Sequence, residues 1–358
     1  MTARTGSTAT TPSTVPVSTV TGPVPSDTLG LTLSHEHLRN DARRALREPD
    51  DGALRFLRDA TVTPGLAWLL REQPYACLDH CVLDDAEAVL EDLVAFGEAG
   101  GATVVDVTPA GLGRDPEVLR DLALRSGVRI VMGSGWYLQS YHPPHLAASD
   151  ERELASELVT EFTAGVGSTG IVPGVIGEIG VSPDFTPDER TALRAAARAQ
   201  RETGVPLYVH LPGWQRRAHE VLDLVLGEYG VPPGAVVLCH MDPSGADPDY
   251  QRAVAERGVW LEFDMIGMPF RFPGEGQSPA PGDTANAVAG LIRGGHGEQL
   301  LLSHDVFLKT MLTRFGGNGF RYVPTLFPAR LAECGVDPAT AAELLRANPA
   351  QLFARAAA

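Results

Sequence analysis

The sequence has no excess of positive charge. Its 29 lysine and arginine residues are outnumbered by 45 aspartate and glutamate residues, which gives a formal net charge of −16 at pH 7. A partner with a phosphate backbone requires clustered Lys and Arg side chains. The charge balance therefore argues against nucleic acid as a partner, and it favours a soluble, self-repelling protein.

Long hydrophobic runs are absent as well. No apolar run reaches the ~18 residues that cross a bilayer, so we expect no membrane anchor. The stretch from Met1 to about Pro16 is rich in Thr, Ser, Ala and Pro and has no continuous apolar segment. This composition does not fit a signal peptide. We expect a disordered tail over residues 1–16 and a cytoplasmic protein.

Cysteine is scarce. The four cysteines, Cys77, Cys81, Cys239 and Cys334, fit the reduced thiols of a cytosolic protein. Cys77 and Cys81 flank His80, but this isolated pair lacks the second half of a zinc knuckle. We interpret the pair as structural or incidental rather than as a metal site.

The chain does contain a repeated alternation of apolar strands and amphipathic helices. Its 358 residues, 44% of them hydrophobic, are enough for one large core, and we expect a single domain over residues 17–358. A short N-terminal β-ribbon is predicted within residues 20–33. One predicted strand ends at residues 35–37, and seven more cover residues 102–108, 129–135, 172–180, 206–210, 235–240, 259–264 and 299–305.

Eight apolar strands separated by helices predict an α/β fold with a parallel sheet covered on its outer face. That number favours a distorted (β/α)8 TIM barrel. The main alternative is a doubly wound open sheet, which normally has a glycine-rich turn after its first strand. The turn at His35-Glu-His-Leu38 has no such glycines.

Residues of the type that bind metals stand at the ends of five predicted strands. His35 and His37 are separated by one residue, so their imidazoles face the same side and Glu36 faces the other. The other candidates are Glu178, His210, His240 and Asp305. The reacting groups of such barrels lie at the carboxyl ends of the strands. The pattern therefore predicts a metal centre there.

Four histidines and two carboxylates exceed the three protein ligands of a catalytic zinc ion. Two ions ~3.5–4 Å apart account for the surplus. Glu178 can bridge them with its two oxygens, and Asp305 can bind one ion, accept the proton of an attacking hydroxide and pass it to the leaving group. We expect two Zn²⁺ ions, although these ligands also suit Mn²⁺, Co²⁺ and Fe²⁺.

Six short strings resemble motifs of the phosphotriesterase-like family of the amidohydrolase superfamily. In family order, they are Gly30–His37, Gly177–Gly180, Gly204–His210, Cys239–Asp242, Ser303–Asp305 and Asn348–Phe353. The resemblance covers nearly the whole chain and implies a binuclear metal centre in a distorted barrel. It implies His35, His37 and Asp305 on the more buried ion, His210 and His240 on the more exposed ion, and Glu178 between them.

Two departures from the family pattern bear on the substrate. The organophosphate hydrolases and lactonases of the family have a carboxylated lysine where this chain has Glu178, which implies a place nearer the phosphotriesterase-homology and phosphotriesterase-related subgroups. Strand seven ends at Asp264, where the organophosphate hydrolases have a histidine that shuttles protons. Asp264 either takes that role or holds a neighbouring loop, so phosphotriester hydrolysis is disfavoured as the native reaction.

Three other residues are candidates for the substrate site, and four histidines are assigned no role there. Tyr137 follows strand three, where it either lines the pocket and binds a carbonyl oxygen or packs the barrel rim. Lys309 and Arg271 either meet a substrate at the mouth or face solvent. The histidines that match no ligand position, expected to be ordinary surface or loop residues, are His80, His145, His219 and His296.

These residues predict a hydrolase whose metal-bridging hydroxide attacks the carbonyl of a small molecule: a lactone, carboxylic ester or amide. Phosphoester or phosphotriester hydrolysis by the same centre is the alternative. A non-catalytic metal-binding barrel is a third reading, against which Asp305 argues because five ligands would already bind metal. The family resemblance is also compatible with a homodimer.

Overall fold

The computed structural model describes residues 14–49 and 51–357. Most of the expected tail, residues 1–13, lies outside the described residues, and the first strand begins at Pro16. No helix within the described residues combines the length and apolarity needed to cross a bilayer.

Eight parallel strands form one sheet in sequential order. The strands are β1 (Leu31–Glu36), β2 (Gly101–Asp106), β3 (Arg129–Ser134), β4 (Val175–Gly180), β5 (Leu207–His210), β6 (Val236–Leu238), β7 (Trp260–Phe263) and β8 (Leu300–Leu302). All eight were anticipated by the apolar runs. Helices cover the outer face, which confirms the predicted α/β barrel.

The two edge strands meet beyond their ladders and nearly close the barrel. The Asp305 N–H donates to the His35 carbonyl at 3.2 Å, and the His37 N–H donates to the Val306 carbonyl at 3.2 Å. The β1–β2 ladder changes register twice, between Leu31 and Thr32 and between Leu33 and Glu36. The β4–β5 ladder also changes register, between Ile176 and Ile179, so the barrel is irregular at more than one place.

Twelve α-helices occur within the described residues, namely α1 (Ala67–Glu72), α2 (Ala86–Glu98), α3 (Pro116–Ser126), α4 (Glu151–Ala164), α5 (Pro187–Thr203), α6 (Ala218–Leu222), α7 (Pro248–Ala255), α8 (Pro281–Arg293), α9 (Tyr322–Thr325), α10 (Phe327–Glu333), α11 (Pro338–Glu343) and α12 (Ala347–Ala356). A π-helical segment, Asp223–Glu228, extends α6.

Neighbouring residues explain where α5 begins and where it ends. It begins with a capping box, in which the Thr186 and Glu189 side chains each accept from the other's backbone N–H. It ends at Gly204, which has φ 68° in the left-handed region that favours glycine. Both ends are therefore encoded by neighbouring residues.

The N-terminal ribbon exists, but the predicted boundaries were wrong. Its antiparallel strands are Pro16–Thr19 and Gly22–Pro25, and the turn is Val20-Thr21. The proline-rich stretch forms the second strand, because a two-stranded ribbon has free edges where proline removes no ladder hydrogen bond. Residues 26–30 then lead into β1.

Alternate residues of the barrel strands belong to two hydrophobic clusters. One cluster joins Val105, Val131, Val175 and Val237 to Val17 of the ribbon and to Leu352 of α12. The other joins the opposite strand faces to the surrounding helices. This division follows from the two-residue period of a strand. The N-terminal ribbon and α12 thus pack against the residues that line one face of the sheet.

Two additional ribbons flank the carboxyl ends of the strands. One pairs Asn40–Asp41 with Val82–Leu83, and the other pairs Arg271–Phe272 with Gly276–Gln277. Between the strands of the first ribbon lie α1 and the 3₁₀ segments Arg43–Ala45, Gly52–Asp59 and Pro64–Leu66. These insertions contribute side chains to the cleft described next.

Candidate metal centre and cleft

The structure brings all six predicted ligand residues together at the carboxyl ends of the strands. The Glu178 Oε1 atom lies 3.5 Å from His37 Nε2, and its Oε2 atom lies 3.1 Å from His210 Nδ1 and 3.5 Å from His240 Nε2. Asp305 Oδ1 lies 3.2 Å from His37 Nε2 and 3.7 Å from His35 Nε2. Glu178 therefore lies between two groups of imidazoles.

The outer ring nitrogens of three of these histidines are held by buried partners. His35 Nδ1 lies 2.9 Å from Glu262 Oε2, and His240 Nδ1 lies 2.9 Å from Asp264 Oδ1. The third bond joins His37 Nδ1 to Thr108 Oγ1 at 2.8 Å. Metal-binding imidazoles are typically oriented in this way, because a bond at one nitrogen aims the other at the ion.

The donor set fits divalent cations. His35 Nε2 is buried and has no hydrogen-bond partner, although a buried polar atom normally has one. His35, His240 and Asp305 form a group of potential metal ligands, and one ligand atom from each lies within 4.8 Å of the others. Imidazole nitrogens and carboxylate oxygens suit zinc, manganese, iron and cobalt. A cation here would give the unpaired nitrogen its partner.

The carboxylates also give the site a strongly negative potential. Burial alone would lower the pKa of His35, but the Asp264 and Glu262 carboxylates outweigh it and raise this pKa to about 9. For His37, Asp305 and Glu178 outweigh burial and raise the pKa to about 10. Burial would raise the pKa of Glu178, yet its histidine neighbours hold it well below its usual range. Such a site favours cations.

Two of the ligand residues have unusual backbone conformations. His240 has φ 60° and Asp305 has φ 52°, in the left-handed region that residues other than glycine rarely adopt. Asp264 stabilises the first of these, because its carboxylate accepts from the His240 N–H at 3.0 Å as well as from the ring. Strain of this kind persists only where surrounding contacts determine the conformation.

Glu36 faces away from the ligands, as the strand alternation predicts, but its role was not anticipated. Its buried carboxylate accepts four hydrogen bonds from the segment after β8: from Ser303 Oγ at 2.8 Å, His304 N–H at 3.0 Å, His304 Nδ1 at 2.7 Å and Val306 N–H at 2.8 Å. Glu36 thus fixes the backbone on both sides of Asp305, at His304 and at Val306. The only signal in the sequence is an acidic residue inside an apolar strand.

Asp264 is fully buried and does not line the cleft. Its contacts with His240, and its Oδ2 atom 3.3 Å from His35 Nδ1, place it behind two ligand residues. Asp264 therefore supports two histidines, which differs from both expected roles, proton shuttling at the substrate and holding a neighbouring loop. Glu262 and Thr108 have similar roles that the sequence reasoning missed, because their partners lie on other strands.

A cleft of about 500 Å³ opens above the ligand residues. Tyr137 lines it, with its ring edge-on to His210 at a centroid distance of 4.8 Å. Burial raises the pKa of Tyr137 well above its usual value, so the phenol keeps its proton and can donate. The other large apolar or aromatic side chains of the cleft are Tyr75, Leu112, Leu138, Tyr141, Leu211, Trp214, Met265, Met268, Phe272 and Phe307. A larger groove of about 1060 Å³ near α7 and α8 contains none of the six ligand residues.

Neither Lys309 nor Arg271 lines the cleft. The Lys309 side chain is buried against Asp79, and the two form an ion pair away from the ligand residues. Arg271 is exposed because it alternates with Phe272 along a strand, and Phe272 takes the position facing the cleft. The structure therefore does not bring these two cations to the predicted substrate site.

His80 also differs from expectation, since it is buried rather than at the surface. Its Nδ1 atom bonds the Pro74 carbonyl at 2.8 Å and its Nε2 atom bonds Thr310 Oγ1 at 2.7 Å. Burial lowers its pKa to about 4, so the ring is neutral. His80 and the Asp79–Lys309 pair connect the insertion after β1 to the segment after β8.

A parallel barrel with imidazole and carboxylate ligands gathered at the carboxyl ends of its strands defines a class of metal-dependent barrel enzymes. The sequence matches the model of the phosphotriesterase family over residues 15–353. The chain belongs to the phosphotriesterase family.

Individual relatives agree with this assignment. The chain is 32% identical to an N-acetyltaurine hydrolase from Tetraodon nigroviridis over 337 residues, which cover 93% of this chain and 96% of the relative. It is similar to the crystal structure of a resiniferatoxin-binding protein from Rhodobacter sphaeroides, with 45% identity, a TM-score of 0.93 and 94% of each chain covered.

A phosphotriesterase homology protein from Escherichia coli, complexed with phosphate in its active site, is 26% identical, with a TM-score of 0.75 and coverage of 91% of this chain and 99% of that one. The family is metal-dependent, in agreement with the clustered ligands. The chain is accordingly a hydrolase acting on small molecules.

The four bonds to Glu36 lead to a first prediction. Glu36→Gln replaces one acceptor oxygen with an NH₂ group that faces donors, so we expect the free energy of unfolding to fall by about 2–3 kcal/mol. Asp305 should also lose its fixed position, which lowers metal retention. Thermal unfolding and metal analysis measure the two effects. Glu117→Gln is the matched control, because the Glu117 side chain is 70% exposed on α3. Equal behaviour of the two variants would contradict the role assigned to Glu36.

Proposed function

We propose that this protein is a binuclear metal-dependent hydrolase that cleaves a carboxylic amide, ester or lactone. The observation that carries the proposal is the position of Glu178, with one oxygen 3.5 Å from His37 and the other 3.1 Å from His210. A carboxylate in this position can bridge two ions. Amides stand first among the substrates because a relative at 32% identity is an N-acetyltaurine hydrolase.

Each ligand residue has a place in the proposed centre. His35, His37 and Asp305 would hold the more buried ion, His210 and His240 the more exposed one, and Glu178 both. We propose Zn²⁺ as the native metal, with Mn²⁺, Co²⁺ and Fe²⁺ as alternatives. When bound, the ions lower the pKa of water and polarise the oxygen of the bond to be cleaved.

Asp305 is the proposed general base and acid. Its side chain is 11% exposed and lines the cleft, so it can contact both the attacking water and the leaving group. It accepts a proton from the water as the oxygen bonds to the carbonyl carbon. It then donates that proton to the leaving atom as the old bond breaks. His37, 3.2 Å away, helps to fix the carboxylate.

Tyr137 and the apolar walls are the proposed substrate contacts. The Tyr137 phenol, packed edge-on against His210, can donate a hydrogen bond to the carbonyl oxygen. Trp214 and Phe272, with ring centroids 5.6 Å apart, form an apolar surface suited to an acyl or aryl group. Water is excluded from such a surface, which strengthens the polar contacts nearby.

Phosphoester hydrolysis is the second candidate, since the Escherichia coli relative has phosphate in its active site. One feature of the cleft disfavours a highly charged phosphate. Among the described residues that line it, Arg47 alone has a permanent positive charge, and its side chain is 61% exposed at the rim.

We also propose that residues 17–358 act as one domain in a reducing cytoplasm, which the four free thiols support.

Metal analysis tests the bridged centre. We expect close to two transition-metal ions per chain after purification, and we expect chelation to abolish hydrolysis and lower the melting temperature, because the carboxylates then repel one another. Adding Zn²⁺ or Mn²⁺ back should restore both. A stoichiometry of one or none after reconstitution would exclude the bridged arrangement.

Asp305→Asn tests the proton-transfer role. The amide cannot accept the proton of water, so kcat should fall at least ~100-fold while much of the metal stays bound to the other five residues. Metal content and single-turnover rates separate the two effects. Asp283→Asn, on α8 outside the cleft, controls for the loss of an acidic group. Unchanged turnover in Asp305→Asn would rule out Asp305 as the base.

A substrate panel tests the reaction class. It contains N-acyl amino compounds, lactones, aryl esters and a paraoxon-type phosphotriester, each assayed with zinc-loaded and manganese-loaded protein. We expect the highest kcat/KM among the carbonyl compounds, with amides first, because the cleft has apolar walls and little fixed positive charge. A clear preference for the phosphotriester would overturn the proposal in favour of phosphoryl chemistry.

A further inference from the structure

The open end of the cleft has one permanent positive charge. Arg47 lines the cleft, and no lysine or other arginine is among the described residues that do so. Its side chain is 61% exposed, whereas the side chains of the six proposed metal ligands are at most 16% exposed. Arg47 therefore lies at the mouth of the cleft, and the proposed metal centre lies at its floor.

The Arg47 side chain reaches from one wall of the mouth to another. Its backbone N–H donates to the Tyr75 carbonyl at 2.9 Å, which holds the residue within the insertion after β1. Its Nη1 atom donates to the Pro273 carbonyl at 3.3 Å, and its Nη2 atom lies 3.8 Å from Glu275 Oε1. Pro273 and Glu275 belong to the ribbon after β7, and both line the cleft. The guanidinium is thus held over the opening.

The contact with Glu275 leaves most of the guanidinium able to bind a ligand. A separation of 3.8 Å exceeds the length of a hydrogen bond, and the Glu275 side chain is itself 37% exposed. Ion pairs this exposed contribute little free energy. A guanidinium has five N–H donors, and the described residues accept a hydrogen bond from one of those in Arg47. A carboxylate in the cleft can accept two of the others side by side, the geometry that arginine favours.

Aromatic rings lie next to this charge. Phe272 directly precedes Pro273, and its ring centroid lies 5.8 Å from that of Tyr75 and 5.6 Å from that of Trp214. All three rings line the cleft. The walls thus combine a large apolar surface with one polar group of fixed position, which is typical of sites for small molecules. A molecule that extends from the floor to Arg47 would have an apolar middle and an acidic end.

We propose that Arg47 binds a carboxylate of the substrate, so that the protein prefers amides with one acidic group away from the bond that is cleaved. The inference rests on the proposed carbonyl hydrolysis and names the substrate class within it. One arginine beside one glutamate suits a single negative charge, whereas a phosphate group has more. The contact is non-covalent, and Arg47 takes no part in breaking the bond.

The position of Arg47 determines which kinetic constant it affects. A contact at the mouth is remote from the reacting atoms, so it stabilises the bound substrate and the transition state equally. Such a contact lowers KM and leaves kcat unchanged. We expect an acidic amide to exceed its uncharged analogue by about fivefold in kcat/KM, the size of one partly exposed charge contact.

The test uses two pairs of amides. Each pair contains an acid and the same molecule with a primary carboxamide in place of the carboxylate, which is on the acyl part in one pair and on the amine part in the other. We expect the wild-type protein to prefer the acid in at least one pair. Arg47→Gln should reduce that preference to about one, and Arg47→Lys should retain part of it, because lysine keeps the charge but not the paired donors.

Glu275→Gln distinguishes charge recognition from a structural role. Arg47→Gln and Glu275→Gln both abolish the ion pair, so a loosened mouth would change the preference in the same direction in both variants. Charge recognition predicts opposite directions. Without its competing carboxylate, Arg47 should raise the preference for the acid about twofold or more. Arg271→Gln is the matched control, because Arg271 is exposed on the same ribbon and does not line the cleft.

A binding measurement makes the test independent of turnover. In metal-loaded Asp305→Asn protein, the acid should bind about fivefold more tightly than its carboxamide by calorimetry, and Arg47→Gln should remove the difference. Equal kcat/KM for acid and carboxamide in both pairs, or changes in the same direction in Arg47→Gln and Glu275→Gln, would overturn the role of Arg47 while carbonyl hydrolysis stands. If no carbonyl compound is cleaved, the proposed function fails and this inference fails with it.

Discussion

The contact on which the site most depends is the one between Glu36 and the segment after β8. The buried carboxylate of Glu36 accepts four hydrogen bonds from Ser303, His304 and Val306. Glu36 is the last residue of β1 and stands in the chain between His35 and His37. The first and last strands of the barrel are joined at this point. Because Asp305 lies within the bound segment, the same contact that closes the barrel also places its carboxylate beside His37.

The second constraint is electrostatic. Glu178, Glu262, Asp264 and Asp305 are all buried around one small volume, where like charges would repel strongly. The carboxylates create a negative potential that outweighs the effect of burial and raises the pKa of His35 to about 9 and that of His37 to about 10. Divalent cations held here would offset the same negative charge.

The walls of the cleft come from parts of the molecule outside this centre. The insertion after β1 contributes Asn40 and Tyr75, and the ribbon after β7 contributes Phe272. The chain is similar in sequence to an N-acetyltaurine hydrolase and in structure to a resiniferatoxin-binding protein. A barrel commonly keeps its centre while its loops change the substrate, because the loops can vary without disturbing the strands.

The sequence alone was sufficient to predict the architecture and to select the six residues that we propose as metal ligands. Apolar strands and capped helices follow from patterns within a few residues, as the ends of α5 show. The spacing of His35 and His37, and the positions of Glu178 within β4 and of His210 at the end of β5, are equally local. The limits of local patterns are visible in the ribbon, where the prolines form the second strand instead of a turn.

Only the tertiary structure decided which residues support the proposed ligands and which line the cleft. Glu36 and His304 are 268 residues apart, and Asn40 and Phe307 are 267 apart. No pattern in the chain signals such a pair. Lys309 illustrates the same point, since its partner Asp79 lies in a distant insertion and draws it away from the cleft. The two-residue period of a strand determines which face of the sheet a side chain occupies. Which distant side chain it contacts there depends on how the strands and insertions come together when the barrel forms.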